Sequence, residues 1–95
     1  MDKQYAQTGT ITVADPAAAV TVELGFAPSY VRAVNVNNVV TYEHWTGMAD
    51  GTSFDTATEL SLNAAGAITL TENGFTLGLD ICDTAADVVY WLAIR

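Results

Sequence analysis

Basic side chains are scarce in this sequence. Lys and Arg number 3 against 11 Asp and Glu, which gives a formal net charge of -8. The three cations, Lys3, Arg32 and Arg95, are far apart along the chain. Nucleic-acid binding needs clustered Lys and Arg that neutralise phosphates, and anionic membranes attract the same kind of cluster. We therefore expect neither nucleic acid nor a membrane as a partner.

Cysteine and long apolar runs are also lacking. Cys82 is the single cysteine, so no internal disulfide can form, and this predicts synthesis in a reducing compartment. No run of about 18 apolar residues is present to span a bilayer. Residues 1–5 lack the apolar segment of a secretory signal, and we expect none.

Residues suited to catalysis are few. His44 is the only histidine, and Ser or Cys nucleophiles normally use a histidine as their base. A carboxylate beside Cys82 raises the pKa of a thiol, which opposes reactivity. Carboxylates cluster in two loops, at Asp50 and Asp55 and at Asp80, Asp83 and Asp87, without the spacing of an EF-hand. We expect no enzymatic activity, no metal site and no cofactor.

Apolar residues, by contrast, are abundant. They make up 51% of the chain, while charged residues make up 15%, against about a quarter in an ordinary soluble domain. A domain of 95 residues has room for one thin core. The surplus of apolar side chains predicts a surface that another subunit covers, and therefore a homo-oligomer or an attached protein.

A period of two dominates the apolar pattern and predicts half-buried strands. Turn residues recur every eight to twelve positions, as in sandwiches and barrels. The sequence therefore predicts one all-β domain over 1–95, a small antiparallel β-sandwich or jelly-roll-like barrel of about eight short strands. Residues 1–10 are interpreted either as part of the first strand or as an extended arm. The predicted strands are 4–14, 18–24, 30–36, 39–46, 58–62, 67–72, 75–79 and 88–94.

Several turns follow from residue type. Asn73-Gly74 predicts a type I′ turn that joins strands 67–72 and 75–79 in a hairpin, since both residues tolerate positive φ. Gly25 and Pro28 are expected to form a corner, and Gly78 a bulge or a close backbone approach. Residues 37–38, both Asn, should join 30–36 to 39–46, and residues 63–66 should form another turn.

Two predicted strands depart from simple alternation. Residues 88–94 are apolar on both faces, which indicates either a central strand whose outer face the N-terminal arm crosses or a subunit interface. Residues 39–46 are mixed on both faces, which predicts a position near an edge or a contact surface.

Aromatic residues are the natural anchors of a protein interface, and they can also form a flat platform for sugars. Trp45, Met48 and Phe54 flank or occupy the Gly-rich segment 47–57, which we expect to be a loop that exposes them. Tyr5 and Trp91 complete the predicted interface.

An ordered set of motifs over residues 20–95 resembles a group of short structural proteins of tailed bacteriophages. The motifs are Gly25-Phe26-Ala27-Pro28, Val31, Asn35, Trp45, Gly47-Met48-Ala49-Asp50-Gly51, Ile68-Thr69, Asn73-Gly74-Phe75, Gly78, and Tyr90-Trp91-Leu92-Ala93. Residues 1–19 lie outside the pattern.

The resemblance implies a virion structural protein, a decoration or cement subunit on the capsid surface that binds the major capsid protein, with a trimer as the favoured oligomer. It supplies no catalytic residues. The alternative is a tail, fibre or surface module that binds host glycan through its aromatic residues.

Overall fold

The computed structural model describes residues 6–55 and 61–95, in which strands and turns are present and helices are not. The strands are β1 (Ala6–Thr12), β2 (Val20–Glu23), β3 (Tyr30–Asn35), β4 (Val40–Trp45), β5 (Thr52–Asp55), β6 (Ser61–Leu70), β7 (Gly74–Leu77) and β8 (Val88–Ile94). The predicted all-β class with about eight short strands is confirmed.

All eight strands belong to one antiparallel sheet, in the order β1-β8-β3-β4-β5-β6-β7-β2. Strands β3 to β7 form a meander in chain order. The last strand, β8, returns to pair with β3, while β1 adds beyond β8 and β2 adds beyond β7. The sheet curls into a half-barrel, and β1 and β2 are its two edges.

The curl encloses the core on the inner face of the sheet. Phe75 on β7 meets Trp91 on β8 edge to face, with ring centroids 5.2 Å apart, although four strands separate β7 from β8 in the sheet. Each large apolar side chain buried here contributes about 1.5–3 kcal/mol. The largest fully buried apolar residues are Phe75, Ile68, Leu77, Ile81, Val31 and Val89.

A buried asparagine holds one end of the half-barrel together. The Asn35 side chain donates hydrogen bonds to the carbonyl oxygen of Ile81 at 3.0 Å and to Asp87 Oδ2 at 3.2 Å. Its oxygen accepts from the backbone N–H groups of Asn37 and Asn38, both at 3.1 Å. One side chain thereby joins the β3–β4 loop to the segment that precedes β8.

For two predicted strands the sequence left two alternatives open, and one alternative of each, the crossing arm for the first strand and the edge position for 39–46, is wrong. Residues 6–12 form β1, which pairs edge to edge with β8 and does not cross its outer face. Strand β4 lies between β3 and β5 in the interior of the sheet, away from both edges. Its mixed inner face is explained by His44, which is buried and bonds through Nδ1 to the carbonyl oxygen of Thr52 at 2.7 Å.

Two strand boundaries also differ from expectation. The Gly-rich segment 47–57 contains β5, which pairs with β4 and β6, so Phe54 lies on a strand. The turn expected at 63–66 is absent, because one strand, β6, continues through it. Gly66 has a φ of 75°, and the β5–β6 register shifts between Thr52 and Ser53. The turn-forming composition is therefore accommodated by an irregularity within a strand pair.

The hairpin of 67–72 with 75–79 is confirmed, since Leu70 pairs with Phe75 and Ile68 with Leu77. Its turn is not type I′. Neither Asn73 nor Gly74 has a positive φ, and Gly74 is already part of β7. The connection between β3 and β4 spans residues 36–39 and includes the predicted Asn pair.

Gly74 is required by packing. A Cβ atom there would lie 1.9 Å from the carbonyl oxygen of Val22 on β2. The close backbone approach expected at Gly78 is present, because a Cβ atom there would lie 2.1 Å from the carbonyl oxygen of Gly66. Gly25 follows β2 with a φ of 87°, and Pro28 is buried, as a corner requires.

The exposed area of the chain is that of a compact monomer. It is 5350 Å², against about 5,200 Å² expected for a folded chain of this length. The total area therefore shows no excess. What distinguishes the surface is where the exposed apolar side chains lie.

Candidate docking surface

The outer face of the sheet carries large apolar side chains over four adjacent strands, β8, β3, β4 and β5. Cross-strand partners in an antiparallel sheet point to the same side, so the register places Tyr30 beside both Ile94 and Trp45. We call this surface the aromatic face. Its members are Tyr30, Val34, Trp45, Phe54, Tyr90, Leu92 and Ile94.

Three of these side chains are strongly exposed. Tyr90 is 53% exposed, Trp45 41% and Ile94 38%. Strand β8 has a hydrogen-bonded neighbour on each side, so its backbone is fully engaged in the sheet. The side chains of its outer face nevertheless have no covering layer among the described residues, and they are available to a partner.

The aromatic residues at the β4–β5 end are held in place. The rings of Trp45 and Phe54 stack with centroids 5.3 Å apart and planes at 24°. The backbone N–H of Trp45 donates to the sulfur of Met48 at 3.3 Å. Such a pre-formed aromatic pair loses little side-chain entropy when a partner binds.

The polar groups of the face lie between the aromatic ones. The Tyr30 hydroxyl donates to Glu43 Oε2 at 2.5 Å. Burial, followed by this hydrogen bond and the charge of Glu43, raises the pKa of Tyr30 to about 12, while Arg32 acts in the opposite direction. Arg32 is exposed and lies opposite both Glu43 and Leu92. The face therefore combines apolar area with one cation and one carboxylate.

A shallow depression of about 440 Å³ lies where β1, β8 and β3 adjoin. The outer side chains around it include Thr8, Thr10, Arg32, Tyr90 and Leu92. Its floor is sheet, and its rim contains both aromatic and hydroxyl groups. The depression gives the otherwise flat aromatic face a recess that suits one protruding side chain of a partner.

The other part of the outer face has a different composition. On β2, β6 and β7 the outward residues include Thr21, Thr69 and Thr76. Thr21 and Thr76 hydrogen-bond to each other through their hydroxyls at 3.0 Å. Thr21 and Thr76 satisfy each other, and these short polar side chains suit contact with water, so this part of the outer face is not a candidate docking surface.

The structure brings three of the predicted interface residues together. Trp45 is exposed, while Met48 and Phe54 are half-buried against it. Trp91 is wrong as an interface residue, because it is 8% exposed and packs in the core. Tyr5 lies outside the described residues.

Tyr90 and Ile94 are exposed on the aromatic face but are not among the interface residues predicted from the sequence. The apolar composition of 88–94 on both faces was the available signal for them. Since either set of alternating residues could face inward, only the pairing of β8 with β1 and β3 shows that Val89, Trp91 and Ala93 are the buried set.

The groups considered for catalysis lie apart from this surface. Cys82 is fully buried, and burial, followed by the charge of Asp83, raises the pKa of its thiol. Among the residues that the structure describes, no group of three His, Cys, Asp or Glu side chains could hold a metal ion.

No described helix is long and apolar enough to cross a membrane.

Fold and surface together define a small all-β chain with one outward aromatic face. Comparisons with protein-family models, with curated proteins and with solved structures found no match.

Proposed function

We propose that this chain is a non-enzymatic virion structural protein, a decoration subunit that binds the outside of a tailed-phage head through its aromatic face and stabilises the shell. The observation that carries the docking role is the exposure of Tyr90, Ile94 and Trp45 on one face of strands from the interior of the sheet. The phage shell as the target is supported by the ordered motifs of residues 20–95. The major capsid protein is the proposed partner, and the capsid surface the proposed location.

The exposed area indicates how such binding would work. Tyr90, Trp45 and Ile94 together expose about 250–300 Å², given the usual size of these side chains. Covering this area contributes about 6–7 kcal/mol, while association itself costs about 4–15 kcal/mol. The net free energy of binding through one aromatic face alone is therefore close to zero. Stable attachment requires that several copies act together, as on a repeating lattice.

The direct test is binding to phage heads that lack the protein. Purified chain should sediment with such heads and delay the loss of DNA on heating. Tyr90→Ala should weaken binding by about tenfold or more, because truncation of a large aromatic anchor at an interface costs about 1–2 kcal/mol or more. Leu79→Ala is the matched control, because Leu79 is also 53% exposed but lies outside the aromatic face. Equal heat resistance with and without the protein would contradict the proposed role.

A tail, fibre or surface module that binds host glycan is the second candidate. The stacked Trp45–Phe54 pair favours it, since such a pair offers a flat platform. Binding to a glycan array that is lost in Trp45→Ala, together with no affinity for heads, would select this function over the first.

A further inference from the structure

The edge strand β1 has a row of backbone groups without a partner in the described residues. It pairs with β8 over seven consecutive positions and stands at the end of the sheet. Just beyond it, the N–H of Val13 donates to the carbonyl oxygen of Asp87 at 2.8 Å. Bonded positions alternate along an antiparallel ladder, so Gln7, Gly9 and Ile11 also bond to β8.

The other residues of β1 therefore direct their backbone N–H and C=O groups away from the sheet. They are Ala6, Thr8, Thr10 and Thr12, and all four are exposed. Within residues 6–55 and 61–95, no backbone hydrogen bond joins these positions to another segment. Such a row of groups is a template for one more strand.

The two edges of the sheet differ in their protection against pairing. Strand β1 has seven residues, contains neither a charge nor a proline, and has no irregularity in its register. Strand β2 has four residues and ends with Glu23. Natural edges are usually blocked by charges, prolines, bulges or shortness. The edge of β2 is protected by its shortness and its carboxylate, whereas none of these protections is present at β1 among the residues that the structure describes.

We propose that β1 is a self-association edge, which pairs antiparallel with β1 of a second copy about a twofold axis and joins two half-barrels into one continuous sheet. This interface adjoins the aromatic face, because Thr8 and Thr10 border the depression there, but it uses the backbone edge of β1 and does not depend on the proposed function. It also predicts a dimer where the phage resemblance implies a trimer.

The outward groups determine the register of this pair. A twofold axis between Gly9 and Gly9 of the second copy places Thr8 opposite Thr10 of that copy and Ala6 opposite Thr12. This register uses every outward N–H and C=O of the strand. Thr–Thr pairs are favourable across strands. The molecule already contains one, since Thr21 and Thr76 share a hydrogen bond of 3.0 Å between their hydroxyls.

The self-complementary register and the lack of charge on β1 favour a second copy as the occupant. The chain carries a net charge of -8, so most contacts between two copies would bring carboxylates together. The β1 edge avoids this repulsion, because a symmetric pair there contains no charged residue on either side. Two copies joined in this way also place their aromatic faces on one sheet.

Analytical ultracentrifugation of the full chain over a concentration series tests the proposal. We expect a reversible monomer–dimer equilibrium. Thr10→Pro removes an outward N–H without touching the β8 ladder, an edge position where proline is tolerated. It deletes two symmetric hydrogen bonds, so the dissociation constant should rise about thirtyfold. Thr21→Pro is the matched control, since it removes an outward N–H from the edge of β2 and should leave dimerisation unchanged.

Charge variants test the register even if a proline variant fails to fold. Thr8→Lys with Thr10→Lys opposes like charges across the axis and should weaken the dimer. Thr8→Glu with Thr10→Lys opposes unlike charges and should strengthen it, and added salt should reduce both effects.

Four results would overturn the proposal. They are a monomer at every concentration, a mass of three chains, an equal loss of association in Thr21→Pro, and identical behaviour of the two charge variants. An equal loss in Thr21→Pro would indicate a ring in which β1 pairs with β2 of the next copy.

Discussion

Replacing Gly9 by alanine tests the link between the edge strand and the core. A Cβ atom at Gly9 would lie 2.4 Å from Cζ2 and 2.6 Å from Cε2 of Trp91, far inside contact distance. The indole cannot move freely, because it is buried and packs edge to face on Phe75. Either the ring or β1 must therefore shift.

The expected cost follows from two opposing effects. Forcing extra volume into a packed core destabilises by about 1–3 kcal/mol, while alanine in place of glycine recovers about 0.4–1 kcal/mol by restricting the unfolded chain. We expect Gly9→Ala to lower the free energy of unfolding by about 1–2 kcal/mol, which lowers the Tm of a chain of this size by about 5–15 °C.

Urea denaturation followed by tryptophan fluorescence measures this change. A Trp45→Phe background makes Trp91 the reporter, since the chain has 2 Trp. Thr8→Ala is the control, because Thr8 is exposed and points away from the core. Its effect should stay within about 0.5 kcal/mol.

A double-mutant cycle identifies the cause of the destabilisation. Trp91→Phe removes the atoms that clash, so the cost of Gly9→Ala should fall in that background. If Gly9→Ala costs as much beside Phe as beside Trp, the steric argument is refuted.

Two further predictions concern the polar core and pH. Asn35→Ala should lower the free energy of unfolding by about 2–4 kcal/mol in urea, because the carbonyl of Ile81 and the carboxylate of Asp87 lose a buried donor; no loss would show that water replaces the amide. The pKa values of Tyr30 and Tyr42 are both raised to about 12, chiefly by burial. Folding favours their protonated forms, so their contribution to stability is complete below pH 10 and is lost as pH rises towards 12. Denaturation at a series of pH values should show this fall, and Tyr30→Phe should reduce it.

Local patterns predicted much of the strand content. The alternating residues around Asn73-Gly74 predicted the last hairpin correctly, because both its strands are adjacent in the chain and their apolar residues face one core. Strand β5 was hidden because its inward residues, Ser53 and Asp55, are polar. Alternation of hydrophobicity cannot reveal a strand that buries polar side chains.

The docking surface likewise combines features that the sequence predicted with features that it did not. Composition indicated that some apolar side chains would be exposed, and the segment 88–94 was recognised as apolar on both sides. Which side faces the core depends on partners distant in sequence, β1 and β3. The choice of Trp91 over Tyr90 as an interface residue was wrong for that reason.

The sequence by itself determined that this chain is all-β, acidic and rich in turns, since these properties depend on composition and on neighbours a few residues away. Only the tertiary structure decided that β1 is an edge strand, that Gly9 leaves space for an indole, and that the aromatic face points outward. Each of these depends on the order and curl of strands far apart in the chain, and no periodicity within a single segment encodes that order.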